Sequence, residues 1–160
     1  MSARGLLRAL FGAVLLCAAL AAARADDYPA EVNAAIADAK KYCENNGGKF
    51  AIKPSAVHKV ELNGDRRDDY IVDFGDASCD GADSGLCGTG GCEISIMVAL
   101  PSGKFVTVFD DPVLTWEVLA ATHSIRFQLH GGYCGEHGGG SHCMKTHRIT
   151  TKPFEYKMPE

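Results

Sequence analysis

The stretch Glu93-Ile94-Ser95-Ile96-Met97-Val98-Ala99-Leu100-Pro101-Ser102-Gly103-Lys104-Phe105-Val106-Thr107-Val108-Phe109 decides the fold. Two apolar runs flank Pro101-Ser102-Gly103, a tripeptide whose residues suit a tight reversal. The expectation is a β-hairpin with strands over residues 93–100 and 104–109. Outward from it, short apolar runs alternate with polar punctuation, predicting further strands over residues 57–62, 70–74, 116–120, 124–129 and 146–151. Ala121-Thr122-His123 connects a second, less marked hairpin. Upstream the pattern changes. Val32, Ile36, Ala39 and Cys43 recur at spacings of four, three and four, one face of a helix that Gly47-Gly48 ends. Asp26 or Asp27 is the expected cap and Pro29 lies in the first turn. The fold class is therefore α+β: an N-terminal helix packed on a small antiparallel β-meander.

The first 25 residues read as an export leader. Arg4 and Arg8 supply the positive start, residues 10–20 an apolar run, and Ala23-Arg24-Ala25 the small residues that a signal peptidase reads. Cleavage before Asp26 leaves residues 26–160 as one disulfide-bonded domain in the periplasm or outside the cell. That apolar run is too short to span a bilayer comfortably, and no other stretch is long enough, so no transmembrane segment is expected in the mature chain. Of 16 basic residues, Arg4, Arg8 and Arg24 leave with the leader, so 13 face 20 acidic residues and the net charge is about −7. An acidic surface argues against nucleic acid and against anionic membrane as partners. The acids Asp65, Asp68, Asp69, Asp73, Asp76, Asp80 and Asp83 solvate loops, or attract cations or a basic protein.

Loss of Cys17 leaves Cys43, Cys79, Cys87, Cys92, Cys134 and Cys143, an even set suited to a disulfide framework in an exported chain. Sequence alone does not choose among the pairings. Cys134 with Cys143 is the local pair, because the Gly-rich segment between them brings two short runs together. Cys43–Cys79 and Cys87–Cys92 complete the set expected here. The Gly-rich stretches 81–91 and 131–140 then become stapled loops.

Two constellations carry candidate chemistry. In Glu61-Leu62-Asn63-Gly64-Asp65-Arg66-Arg67-Asp68-Asp69-Tyr70, the oxygens of Glu61, Asn63, Asp65 and Asp69, with the carbonyl of Arg67, fall at the alternating positions of a calcium loop. Two departures stand out: Glu61 replaces the shorter Asp, and Arg66 sits where Gly permits a sharp turn. The other reading of the segment is a strand–turn–strand hairpin with a solvated polar tip. Further on, His130, His137, His142 and His147 lie within 18 residues, together with Cys134, Cys143, Glu136 and Met144. Imidazole and sulfur there could ligate copper or zinc. A Cys134–Cys143 disulfide would remove the thiolates and leave a structural loop.

The first segment, with the following Tyr70-Ile71-Val72-Asp73-Phe74, resembles the calcium-binding turn of FG-GAP and VCBS-type repeats. A single copy carries over only the turn and not their propeller. Ser78-Cys79-Asp80-Gly81-Ala82-Asp83-Ser84-Gly85-Leu86-Cys87-Gly88-Thr89-Gly90-Gly91-Cys92 is similar to a segment of small, uncharacterised exported proteins of proteobacteria. That resemblance, over residues 57–143, implies an envelope or secreted location and no particular reaction.

Catalytic signatures are missing. Ser84 and Ser141 stand beside Gly but outside a Gly-x-Ser-x-Gly elbow, Asp110-Asp111 before Pro112 read as a turn cap, and Trp116 reads as core. No nucleophile, base and oxyanion donor can be assigned together. The function expected is a non-enzymatic exported scaffold that binds an envelope or secreted protein, with no certain cofactor and with calcium accommodated by the degenerate loop over residues 61–69. The alternative is a periplasmic copper or zinc binder built on residues 130–147.

Overall fold

The computed structural model describes residues 28–82, 85–135 and 140–157. The leader expected over residues 1–25, the Asp26 or Asp27 cap, Asp83, Ser84, Glu136 and His137 lie outside them.

Helix α1 spans Ala30–Asn45. Pro29 is the residue before its first turn rather than within it and no side chain caps the helix, so it begins two or three residues later than a cap at Asp26 or Asp27 implies. Among the described residues ten strands follow: β1 (Lys49–Ile52), β2 (Val57–Val60), β3 (Asp69–Asp73), β4 (Ala77–Asp80), β5 (Cys87–Gly88), β6 (Gly91–Ala99), β7 (Phe105–Val113), β8 (Thr115–Leu119), β9 (Ser124–His130) and β10 (His142–Arg148). The class is α+β, and the strands form three antiparallel sheets rather than one meander. β1 pairs with β4; β8, β9 and β10 form the order β10-β9-β8; and β2-β3-β6-β5 form a central sheet on which β7 also pairs with β6. The quoted hairpin is β6–β7. It runs beyond its expected length, so Asp110, Asp111 and Pro112 are strand residues facing Ser95, Ile94 and Glu93 rather than a turn cap. Proline is tolerated there because β7 uses only one edge for pairing.

Alternation sorts the central sheet into two faces. Tyr70 and Val72 of β3 and Met97 of β6 meet Val32 and Ala39 of α1, with Phe74 and Leu86. On the other face, Ile71, Ile94, Ile96 and Val98 pack against Ile125, Phe127 and Leu129 of β9. The central sheet thus lies between α1 and the three-stranded sheet.

A bulge in β7 has a clear use. Ile96 faces Phe109 and Met97 faces Thr107, so Val108 is passed over in the ladder. Its carbonyl accepts instead from the Phe154 N–H at 2.8 Å. This bond seats the C-terminal segment, where Phe154 stacks on Phe109 at 4.9 Å between ring centres and Tyr156 stands edge-on to Phe127.

Three disulfides join Cys43 to Cys79, Cys87 to Cys92 and Cys134 to Cys143. The first ties α1 to β4, the second closes the β5–β6 hairpin, and the third closes the loop between β9 and β10. Among the described residues no helix is long and apolar enough to cross a membrane.

Candidate functional site

Strand β3 organises the chemistry. Asp69, Ile71 and Asp73 alternate toward the three-stranded sheet, so the row between the two sheets has an apolar centre and a carboxylate at each end. The two ends are treated differently.

At the first end, Asp69 has no solvent exposure. Its Oδ2 accepts the Leu62 N–H at 2.9 Å and its Oδ1 the Ala99 N–H at 2.8 Å. One side chain thereby fastens the 61–69 turn and the end of β6 to β3. Burial pushes the Asp69 carboxyl above the usual carboxylate range; those two N–H groups oppose the rise, and the charges of Asp65 and Glu61 add to it.

The rest of the turn is closed by its own backbone. Glu61 Oε1 accepts from Gly64 N and from Asp65 N, the latter at 3.1 Å. Asn63 Oδ1 accepts from Asp65 N at 3.0 Å, and Asp65 Oδ1 from Arg67 N at 2.8 Å. The Arg67 guanidinium donates to Asp65 Oδ2 at 2.7 Å. Although burial acts against it, the combined pull of Arg67 N–H, Asn63 and Arg67 side chains lowers the Asp65 carboxyl below its usual range. Gly64 has φ +87° and Arg66, standing where a glycine was wanted, takes φ +65°. His123, itself at φ +49°, lies under Gly64, with Glu61 Oε2 3.8 Å from its Nδ1.

The candidate calcium ligands Glu61, Asn63, Asp65, Arg67 and Asp69 therefore share one turn, but their oxygens serve separate N–H groups. Asp69 faces inward and a guanidinium occupies Asp65. Among the described residues no group of three or more His, Cys, Asp or Glu side chains could hold a metal ion. The geometry fits a self-closed turn better than a cation cage.

The histidines are divided. His130 and His142 face each other across β9 and β10, and His130 Nδ1 accepts the Gly132 N–H at 3.2 Å. His147 lies five residues along β10, roughly 17 Å away and on the opposite face at strand spacing. It stacks on Phe154 at 3.6 Å between ring centres. Burial lowers its pKa. Cys134 and Cys143 are bonded to each other and supply no thiolate. Among the described residues His130, His142 and His147 do not form one centre, because alternation along β10 sends His142 and His147 to different sides; His137 lies outside them.

At the second end of the row, Asp73 borders an open cleft of about 500 Å³ that sequence reasoning missed. His58 of β2, Asp73, Gly75, Asp76, Ile94 and Trp116 contribute to its walls, with Val113, Leu114 and Thr115 where the chain crosses from β7 to β8. Trp116, expected to be core, is only partly buried: its Nε1 donates to Asp73 Oδ2 at 2.9 Å, and its ring meets His58 edge-on at 4.9 Å. Asp73 Oδ1 accepts from Gly75 N at 2.8 Å. Asp76 is engaged by Lys53 Nζ at 2.8 Å and Ser55 Oγ at 2.7 Å, which together hold its carboxyl below its usual range. The only sequence signal was parity: Asp73 sits two residues from Ile71, in register with a core position.

Compared with known protein families, curated proteins and solved structures, the chain matches none.

Proposed function

We propose that this chain is an exported, disulfide-stapled binding scaffold of the periplasm or extracellular space, acting without catalysis on an envelope or secreted partner. The observation that carries the reading is the placement of the three disulfides, which fasten α1, the β5–β6 hairpin and the β9–β10 loop separately. Such a framework persists in an oxidising compartment. It holds the loops around the central sheet in one arrangement, and preorganisation of this kind favours binding. Two of the side chains suited to chemistry are spent on structure: Asp69 on two backbone N–H groups and Ser95 on Asp110. Calcium has a weaker case on the 61–69 turn, since a cation there would displace Arg67 from Asp65.

The test has two readings. Expressed with its leader in a bacterium, the protein recovered from the periplasm should begin at Asp26 and weigh six hydrogens less than its reduced form, two for each of three bonds. A photo-crosslinking residue placed in turn at Tyr42, Leu114 and Met144, all exposed apolar positions, should then give a discrete adduct in the envelope at one of them. Free thiols, a cytoplasmic location, a retained copper or zinc ion, or no adduct at any position would overturn the reading.

A further inference from the structure

The cleft at Trp116 has a lining that specifies a ligand class. Its volume of about 500 Å³ lies within the span of small-ligand sites, roughly 300–1,000 Å³. Part of the wall is apolar: the Trp116 indole with Ile94, Val113 and Leu114. The polar part is pre-set. Asp73 is held by Gly75 N–H on one oxygen and Trp116 Nε1–H on the other. A carboxylate offers about four acceptor sites, so each Asp73 oxygen can take one more donor. The indole is locked by the same bond, and His58 stands at 4.9 Å against it.

Charge narrows the choice. An anion would meet Asp73 and Asp76 and find no lysine or arginine among the residues that line the cleft. A cation is poorly served, because Asp76 is already paired with the Lys53 ammonium at 2.8 Å and Asp73 already accepts two N–H groups. A wholly apolar ligand would bury Asp73 with acceptor sites unmet, at a desolvation cost. A neutral ring with C–H groups on its faces and hydroxyls at its edge meets these walls: its face lies on the indole, its hydroxyls donate to Asp73 and to the Thr115 oxygen, whose own hydrogen goes to Gln128 Oε1 at 3.1 Å, and they exchange hydrogen bonds with the His58 imidazole.

We propose that the cleft between β2, the end of β3 and the start of β8 binds a carbohydrate, with Trp116 as the stacking surface and Asp73 and His58 as the hydroxyl-binding groups. This rests on the binding-scaffold reading and names its ligand class.

Trp116 is the chain's single tryptophan, so its fluorescence reports this cleft alone. The oxidised protein is titrated with cellotriose, maltotriose and chitotriose, and separately with tetramethylammonium chloride. At least one trisaccharide should give a saturable change in emission. His58→Ala should weaken that binding about tenfold, the loss of one hydrogen-bonding group. On labelled wild-type protein, the same sugar should shift the Trp116 indole N–H and Gly75 amide resonances, which keeps the test open should the variant fail to fold. No response to any of the three sugars, saturation by tetramethylammonium alone, or an undiminished response in a folded His58→Ala would each overturn the proposal. A flat titration of a correctly exported, oxidised protein rejects the carbohydrate while leaving the scaffold reading intact.

Discussion

Replacing Asp69 by alanine should be among the most damaging single changes to this fold. The side chain has no solvent exposure and holds the backbone N–H groups of Leu62 and Ala99 at 2.9 and 2.8 Å. Truncation leaves both donors unpaired in the interior, at roughly 1–3 kcal/mol each, or about 2–6 kcal/mol together. Removing a carboxylate whose ionisation burial disfavours gives some of that back, so the expected loss lies in the lower half of the range. Asp69→Asn keeps one acceptor and turns an amide donor toward the other N–H, and should lose less. Urea unfolding followed by Trp116 fluorescence measures the change, a shift of midpoint at constant slope being the signature of altered stability. The pH dependence supplies a second arm. Because the folded pKa of Asp69 is raised above its unfolded value, its titration favours folding at low pH, and that contribution is lost as pH rises through the folded pKa. The stability gap between wild type and Asp69→Asn should therefore narrow with rising pH. A cost below about 0.5 kcal/mol for Asp69→Ala, the range of ordinary surface changes, would refute the claim that this residue clasps the turn to the sheet.

Three further outcomes follow from the same geometry. Millimolar calcium or EDTA should leave the melting temperature unchanged, because the turn closes on its own N–H groups and on Arg67; a rise with calcium would restore the cation reading of residues 61–69. Gly64→Ala forces a side chain into φ +87° with its Cβ 3.0 Å from His123 Nε2, and the conformation alone costs about 1–2 kcal/mol. In a His123→Ala background the contact is relieved but the backbone strain stays, so calorimetry should show partial rescue only. Removing the Cys43–Cys79 bond, with a sequence separation of 36, should cost about 4 kcal/mol by loop-closure entropy. The same reasoning gives about 2 kcal/mol for Cys87–Cys92, separated by 5, an order that paired Ser variants would expose by reversing it.

What could be read in advance was what is local. The β6–β7 hairpin announced itself because its turn residues and its flanking apolar runs agree. Cys43 was placed correctly on the buried face of α1 because a 3.6-residue period needs only the helix itself. β1 and β4 were missed: they are four residues each, alternate between exposed and half-buried, and owe their pairing to each other across 24 intervening residues or more. The neighbour relation of β3 and β6 was equally hidden, since β4 and β5 intervene in the chain. The cleft was invisible for the same reason. His58, Asp73 and Trp116 come from three strands, and only the crossing from one sheet to the next brings an indole onto a carboxylate 43 residues away. For the candidate histidine set, closeness in sequence is not convergence: strand alternation sends His142 and His147 to opposite faces of β10.

The most direct test of the stapled scaffold is peptide mapping of the periplasmic protein, digested without reduction and with any free thiols alkylated beforehand. The account predicts three linked pairs, Cys43 with Cys79, Cys87 with Cys92 and Cys134 with Cys143, and no alkylated cysteine in the mature chain. Alkylated Cys134 and Cys143, or pairs that cross between these three, would contradict it.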